Sequence, residues 1–397
     1  MYARISGALA LSVGRYTILR MPDVLIFADS IRSPELRHEV PIAVPDPFLY
    51  GESDGARHVL VASMEAARMG GLGVELHPLE DYGYDELVAS GLSRDEIWLE
   101  LAARACTAWG IERAAVPTTF PLELADFLRA RGVELSADRE LFGGRRRAKN
   151  EAELAGIRRA QRAAEAGMTA ARDLLRRAQP NGGALEVDGA PLTSERIKKA
   201  LERAFSEHDC SADEMIVSHG PQTAIGHHMG EGPIAPDEPI VIDIWPRDRG
   251  TGCYADMTRS FVVGTPPDEL VEWHRLVHQA LQEAIAASRP GTTGSELNRA
   301  TCELFAGHGY PTQLTKEPGV PLEDGFFHGL GHGVGLEVHE APSLGITGKE
   351  DLVAGDVITV EPGLYRKGFG GVRLEDLLVV TEDGVENLTH FPYDLKP

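Results

Sequence analysis

Carboxylates and imidazoles crowd the last third of the chain. Three passages carry them: His328-Gly-Leu-Gly-His332-Gly-Val-Gly-Leu-Glu-Val-His339, Thr359-Val-Glu361-Pro-Gly-Leu-Tyr365 and Gly371-Val-Arg373-Leu-Glu375-Asp. Upstream, Ile240-Val-Ile-Asp243-Ile-Trp and Tyr254-Ala-Asp256-Met-Thr read as the other half of one site. Two aspartates, two glutamates and one histidine make a cage for a pair of divalent cations. Oxygen and imidazole donors without a thiolate suit manganese, cobalt or zinc. Two such ions roughly 3.5–4 Å apart would bring a bridging water to hydroxide near neutral pH and polarise a carbonyl. A carboxylate ligand can accept the water's proton. A nearby imidazole can donate to the leaving nitrogen or hold the oxyanion.

Each residue also has a plainer reading. Asp243 is the only charge between Pro239 and Trp245. A carboxylate in a buried strand is costly unless paired or metal-bound, but an aspartate there could also open the turn at Pro246. Asp256 and Thr258 share one face of a period-two strand, so Thr258 can hold a ligand carboxylate; taken alone, Asp256 could be an exposed strand residue. His328 and His332 have helical zinc-site spacing, yet the glycines at 329, 331, 333 and 335 favour an extended loop. A lone histidine usually fills a structural role, but four of them (His227, His328, His332 and His339) lie near glycines and carboxylates. Glu361 ends an apolar run, and Pro362 biases it towards extended geometry. Arg373 and Glu375 share a strand face and could form a cross-strand charge ladder.

The elements that must position these groups fall into two domains, as 397 residues suggest. Residues 1–145 alternate strands (23–28, 57–62, 73–77) with helices at 93–109, opened by a capping box, and 122–130. This is a small α/β domain without a phosphate-binding glycine motif. Three arginines at 145–147 read as a solvated linker opening onto a helix. In residues 146–397, Asn150 caps a helix to about 178, and a second helix covers 194–208. Strands follow at 214–219, 239–244 and 254–263, helices at 268–287 and 295–307, then strands at 336–339, 357–361 and 372–381. The pattern repeats as helix, helix, strands. Each half donates two acids: Asp243 and Asp256, then Glu361 and Glu375.

Composition narrows the function classes. A net charge of −22 disfavours nucleic acid and anionic membranes, and no apolar run is long enough to span a bilayer. Four scattered cysteines fit free thiols in a reducing cytoplasm. The short apolar stretch 5–13 only faintly resembles a signal sequence.

The motifs of residues 150–390, in this order, resemble the pita-bread metallopeptidases, the family of methionine aminopeptidase and the Xaa-Pro peptidases. The N-terminal domain resembles that of the creatinase and prolidase branch. The resemblance implies an α+β fold: a C-terminal pita-bread domain of two pseudo-twofold halves behind a smaller α/β domain that serves oligomerisation and pocket closure. It implies Asp243, Asp256, His332, Glu361 and Glu375 as ligands of two divalent ions per subunit, manganese first and zinc or cobalt next. Glu361 is then the general base, and His339 contacts substrate and assists proton transfer. His227, rather than His228, matches the histidine preceding the first aspartate, and both His227 and His339 join the catalytic set. His328 and Arg373 line the substrate pocket. The implied activity is hydrolysis of Xaa-Pro bonds in small peptides, by a dipeptidase (prolidase) that is cytoplasmic and homodimeric. The alternatives are an Xaa-Pro aminopeptidase, or a metal-free creatinase-like hydrolase or peptide-binding scaffold. One departure stands out: Trp245 replaces the glycine of the family's Asp-x-Gly, and Asp256 follows Asp243 by thirteen positions instead of the usual eleven. A longer turn should absorb the difference.

Overall fold

The computed structural model describes residues 22–397; the apolar stretch 5–13 lies outside them. The chain forms two compact units. One takes in the described residues up to Ile26, with Leu49–Ala66 and Gly73–Ala137; the other takes in Phe27–Phe48, Ala67–Leu72 and Asp138–Pro397.

The first unit is built on strands β1 (Asp23–Ala28), β2 (Phe48–Ser53), β3 (Ala56–Val61), β4 (Glu75–Pro78), β5 (Arg113–Val116) and β6 (Glu134–Ala137), in the order β4-β3-β2-β1-β5-β6. Val24, Leu25 and Ile26 are fully buried, which is why β1 reads as an unbroken apolar run. Strands β2 and β3 form an antiparallel hairpin turned at Asp54-Gly55, both at positive φ. The helix Arg94–Ala108 starts at Ser93 with the expected capping box to Glu96.

In the second unit, Asn150 caps the helix Glu151–Arg177 and closes a capping box with Glu153. This helix packs on Ser194–Glu207; a Cβ at Gly167 would meet the Phe205 ring at 2.6 Å, so glycine sets the approach. Strands β7 (Ile216–His219), β8 (Ile240–Ile244) and β9 (Met257–Phe261) make an antiparallel sheet. A second sheet contains β10 (His332–Gly333), β11 (Glu340–Ser343), β12 (Val357–Val360), β15 (Asp376–Val380) and β16 (Val385–Asn387), in the order β11-β10-β12-β15-β16. Strands β13 (Gly363–Arg366) and β14 (Gly370–Arg373) pair separately. One apolar core gathers Ile157, Met168, Leu201, Phe205, Val217 and Ile242. The other gathers Trp273 and Leu276, Phe305, Phe326, Ile358 and Leu378 beneath the helices Asp268–Ala287 and Gly294–Gly307. The repeat read from the sequence thus corresponds to two halves, each with its own helix pair and sheet, while the first core also takes in Val357, Leu377 and Val379 of the second sheet.

Registers explain how four carboxylates meet. In β8 and β9, Ile244 pairs with Met257, so the next rung sets Trp245 opposite Asp256. In β12 and β15, Val360 pairs with Asp376, so the next rung sets Glu361 opposite Glu375. The longer turn leaves this register alone. Ala255 N–H donates to the Pro246 carbonyl and Asp248 N–H to that of Cys253, extending the hairpin outward. Asp248 closes it by accepting from Thr251 N–H at 2.8 Å and from both Arg159 nitrogens.

Three local expectations are corrected. Residues 336–339 form bends and the strand starts at Glu340, because the Glu340 carboxylate is drawn inward to Lys149 and Arg146. The expected strand 372–381 breaks into β14 and β15. Between them Leu374 N–H turns to the Pro362 carbonyl and Glu375 N–H to that of Thr258. Arg373 and Glu375 therefore do not share one strand. The arginine run is not solvated. It ends the helix Arg139–Arg147, with Arg145 on Glu39 at 2.7 Å, Arg146 on Glu337 at 2.6 Å and Arg147 on both oxygens of buried Asp356.

Arg259 ties the two halves together. Its buried guanidinium donates to Asp376 and to the carbonyls of Thr258, Glu375, Phe391 and Pro392. Arg259→Leu would leave Asp376 without its cation and several carbonyls without donors. We expect it to cost about 3–5 kcal/mol in urea unfolding.

Candidate metal centre

A cavity of about 630 Å³ opens in the second unit, and it is lined by all of Asp243, Asp256, His332, Glu361, Glu375, His227, His328, His339 and Arg373. Every site residue expected from the sequence therefore reaches one space. His228 does not line it; its Nδ1 accepts from Gly230 N–H at 3.0 Å.

Asp256, His332 and Glu375 place ligand atoms within 4.8 Å of one another. His332 Nε2 is 3.8 Å from Asp256 and 3.4 Å from Glu361 Oε1. Its Nδ1–H points at the Gly333 carbonyl, 3.2 Å away, which leaves the Nε2 lone pair facing the carboxylates. Gly331 and Gly333 permit this: a Cβ at either would strike backbone carbonyls, at 2.1 Å from Thr359 and 2.3 Å from Ala341. The extended glycine loop is thus packed edge-on against its neighbours.

Thr258 donates to Glu375 Oε2 at 2.7 Å, the second-sphere role its strand face implied. Asp243 Oδ2 accepts from Arg373 Nη2 at 2.6 Å. Arg373 Nη1 also donates to the Tyr365 hydroxyl at 3.0 Å, that hydroxyl donates to His328 Nε2 at 2.9 Å, and His328 Nδ1–H ends on the Gly329 carbonyl. This chain fixes Asp243 and keeps His328 neutral.

The electrostatics call for cations. Asp243, Asp256, Glu361 and Glu375 line the cavity, and among the described residues Arg373 is the one permanently charged cation lining it. Burial, reinforced by the mutual repulsion of the carboxylates, holds Asp256 and Glu375 well above the ordinary range. Burial raises Glu361 to about 8. Asp256 Oδ1 is buried without a hydrogen-bond partner. Such a cluster is costly in itself and is relieved by divalent metal. Burial also lowers His332 and His328 to about 3, and it lowers His339, beside His227. The imidazoles are therefore in their unprotonated, ligating or proton-accepting form. The donor set fits hard to borderline divalent cations.

Several residues in the cavity wall or behind it were not assigned roles from the sequence. Tyr365 links Arg373 to His328, and its place two residues beyond Pro-Gly on the strand leaving Glu361 is the signal that marks it. Trp245, Ile216, Met229 and Phe327 form an apolar wall, and Glu214 adds a further carboxylate. These come from separate elements whose convergence only the fold reveals.

A family model described as Metallopeptidase family M24 matches residues 155–382. Among curated proteins, the chain is 36% identical over 190 residues to an uncharacterized peptidase, YqhT, of Bacillus subtilis, covering 47% of this chain and 49% of that protein. It is 35% identical over 179 residues to a Xaa-Pro dipeptidase of Pyrococcus furiosus, covering 45% and 47%. The matches thus span about half the length of these relatives. Among solved structures, a Xaa-Pro dipeptidase from Bacillus anthracis superposes with a TM-score of 0.75 at 24% identity over 94% of both chains, which establishes the shared fold.

Proposed function

The chain belongs to metallopeptidase family M24, and on that footing we propose that it is a Xaa-Pro dipeptidase working with two divalent metal ions. The observation that carries this reading is the convergence of four carboxylates, two buried and two half-buried, and one deprotonated imidazole on a single cavity. The name of the Pyrococcus furiosus relative supports the choice of substrate. Asp243, Asp256, His332, Glu361 and Glu375 would hold the ions. When bound, the ions supply an activated water and polarise the scissile carbonyl.

The chain's own residues do the rest. Glu361, which lines the cavity beside His332, takes the proton of the attacking water. His339 and His227 face the same cavity. His339 serves the proline nitrogen, which must gain a proton to leave, and His227 orients the carbonyl. Arg373 and His328 position the substrate's polar groups. The wall of Trp245, Ile216, Met229 and Phe327 suits a proline ring and excludes water from it. A cavity of this size takes a small peptide. The same reading assigns manganese as the working ion, a homodimer as the assembly and the cytoplasm as the compartment.

The test compares a Xaa-Pro dipeptide with the corresponding Xaa-Pro tripeptide, with and without a chelator and after manganese is returned. Dipeptide cleavage that stops on chelation and returns with metal is expected, with the tripeptide cut more slowly. Cleavage indifferent to chelation contradicts the metallopeptidase reading. Faster cleavage of the tripeptide makes the protein an Xaa-Pro aminopeptidase.

A further inference from the structure

A second group of metal-binding side chains lies in the first unit, on the sheet itself. The parallel strands β3 and β4 set His58 beside Glu75 and Leu60 beside His77. Side chains alternate along a strand, so His58, Glu75 and His77 emerge on one face. His58 Nδ1 lies 3.2 Å from His77 Nε2 and 3.3 Å from Glu75 Oε2, and all three ligand atoms fall within 4.8 Å of one another. Separations near 3.3 Å are the edges of a tetrahedron whose centre is about 2.0 Å from each corner, the bond length of zinc to imidazole or carboxylate.

Both rings are held in place. Gly51 on β2 pairs with His58, and a Cβ there would meet the Trp109 indole at 2.7 Å. The glycine thus lets Trp109 lie against the sheet and stack on His58, with centroids 5.0 Å apart and planes at 13°. Trp109 Nε1–H donates to the Tyr82 hydroxyl at 2.8 Å, and that oxygen is 3.2 Å from His77 Nδ1. Donation of the Nδ1 proton to Tyr82 turns the Nε2 lone pair of His77 towards His58 Nδ1. This outer hydrogen bond is the arrangement that fixes a metal-binding tautomer. Two lone pairs facing each other at that distance need a proton or a cation between them. A proton serves the imidazole pair alone, whereas a divalent cation serves the pair and the neighbouring carboxylate together.

We propose that His58, His77 and Glu75 form a zinc-type divalent cation site in the first unit, with its fourth position open to solvent. Glu75 is largely exposed, so the ion is reached from the surface and a water completes its shell. None of these residues lines the cavity described above, and the site stands whether or not the dipeptidase reading holds.

The test uses the full chain. Zinc is counted after equilibrium dialysis for the wild type and for His77→Gln. Long-range nitrogen NMR then follows the wild-type imidazoles through a zinc titration, a readout that does not depend on whether the variant folds. The wild type should bind one more zinc per chain than the variant, and zinc should shift His58 Nδ1 and His77 Nε2 together in one step of the titration. Equal zinc counts in two folded proteins, or wild-type imidazole nitrogens that zinc does not move, would overturn the proposal.

Discussion

Asp256→Asn is expected to lower the metal held in the cavity from about two ions towards one or none and to bring turnover to background. The substitution keeps the side chain's size and removes one negative charge. Asp256 lies among Asp243, Glu361 and Glu375, buried, with one oxygen lacking any partner in the protein. That oxygen has no structural hydrogen bond to lose, so folding should survive. Indeed, relief of carboxylate repulsion should leave the metal-free variant at least as stable as the metal-free wild type. Metal analysis and thermal unfolding of both proteins separate the two effects. Normal metal content with normal turnover would remove Asp256 from the ligand set.

His339→Ala is the second large effect. The His339 ring meets that of His332 edge-on, with centroids 4.1 Å apart, and faces the cavity. Burial next to His227 keeps it neutral, and among the described residues it makes none of the close carboxylate contacts that His332 makes. Its loss should therefore leave metal content unchanged while kcat falls by about 10²–10⁴. A truncation that only loosened packing would lower stability and metal content together. A near-normal kcat would exclude His339 from proton transfer.

Much of this site was legible in the residues because strand chemistry is local. Asp243 and Glu361 stand out as lone charges ending apolar runs, and the registers of β8 with β9 and β12 with β15 bring in their partners. The helices with capping boxes at Ser93 and Asn150 begin where the sequence says they should. What escaped depends on contacts far along the chain. The break between Arg373 and Glu375 arises because the Glu375 amide bonds to Thr258 in the other half. The arginines 145–147 look solvated until Glu39, Glu337 and Asp356 are brought to them. Short strands such as Arg113–Val116 and Glu134–Ala137 carry too few residues for an alternating pattern to emerge. The Trp245 substitution and the longer turn were readable as departures. Their harmlessness to the register was visible only once Ala255 was seen bonded to Pro246.

The central claim is that side chains from two halves of one domain jointly hold a pair of metal ions. Anomalous diffraction from crystals of the full chain grown with manganese measures this directly. The account predicts two anomalous peaks in the cavity, roughly 3.5–4 Å apart, within coordinating reach of Asp243, Asp256, His332, Glu361 and Glu375. A cavity empty at saturating manganese, with these five side chains ordered, would contradict it.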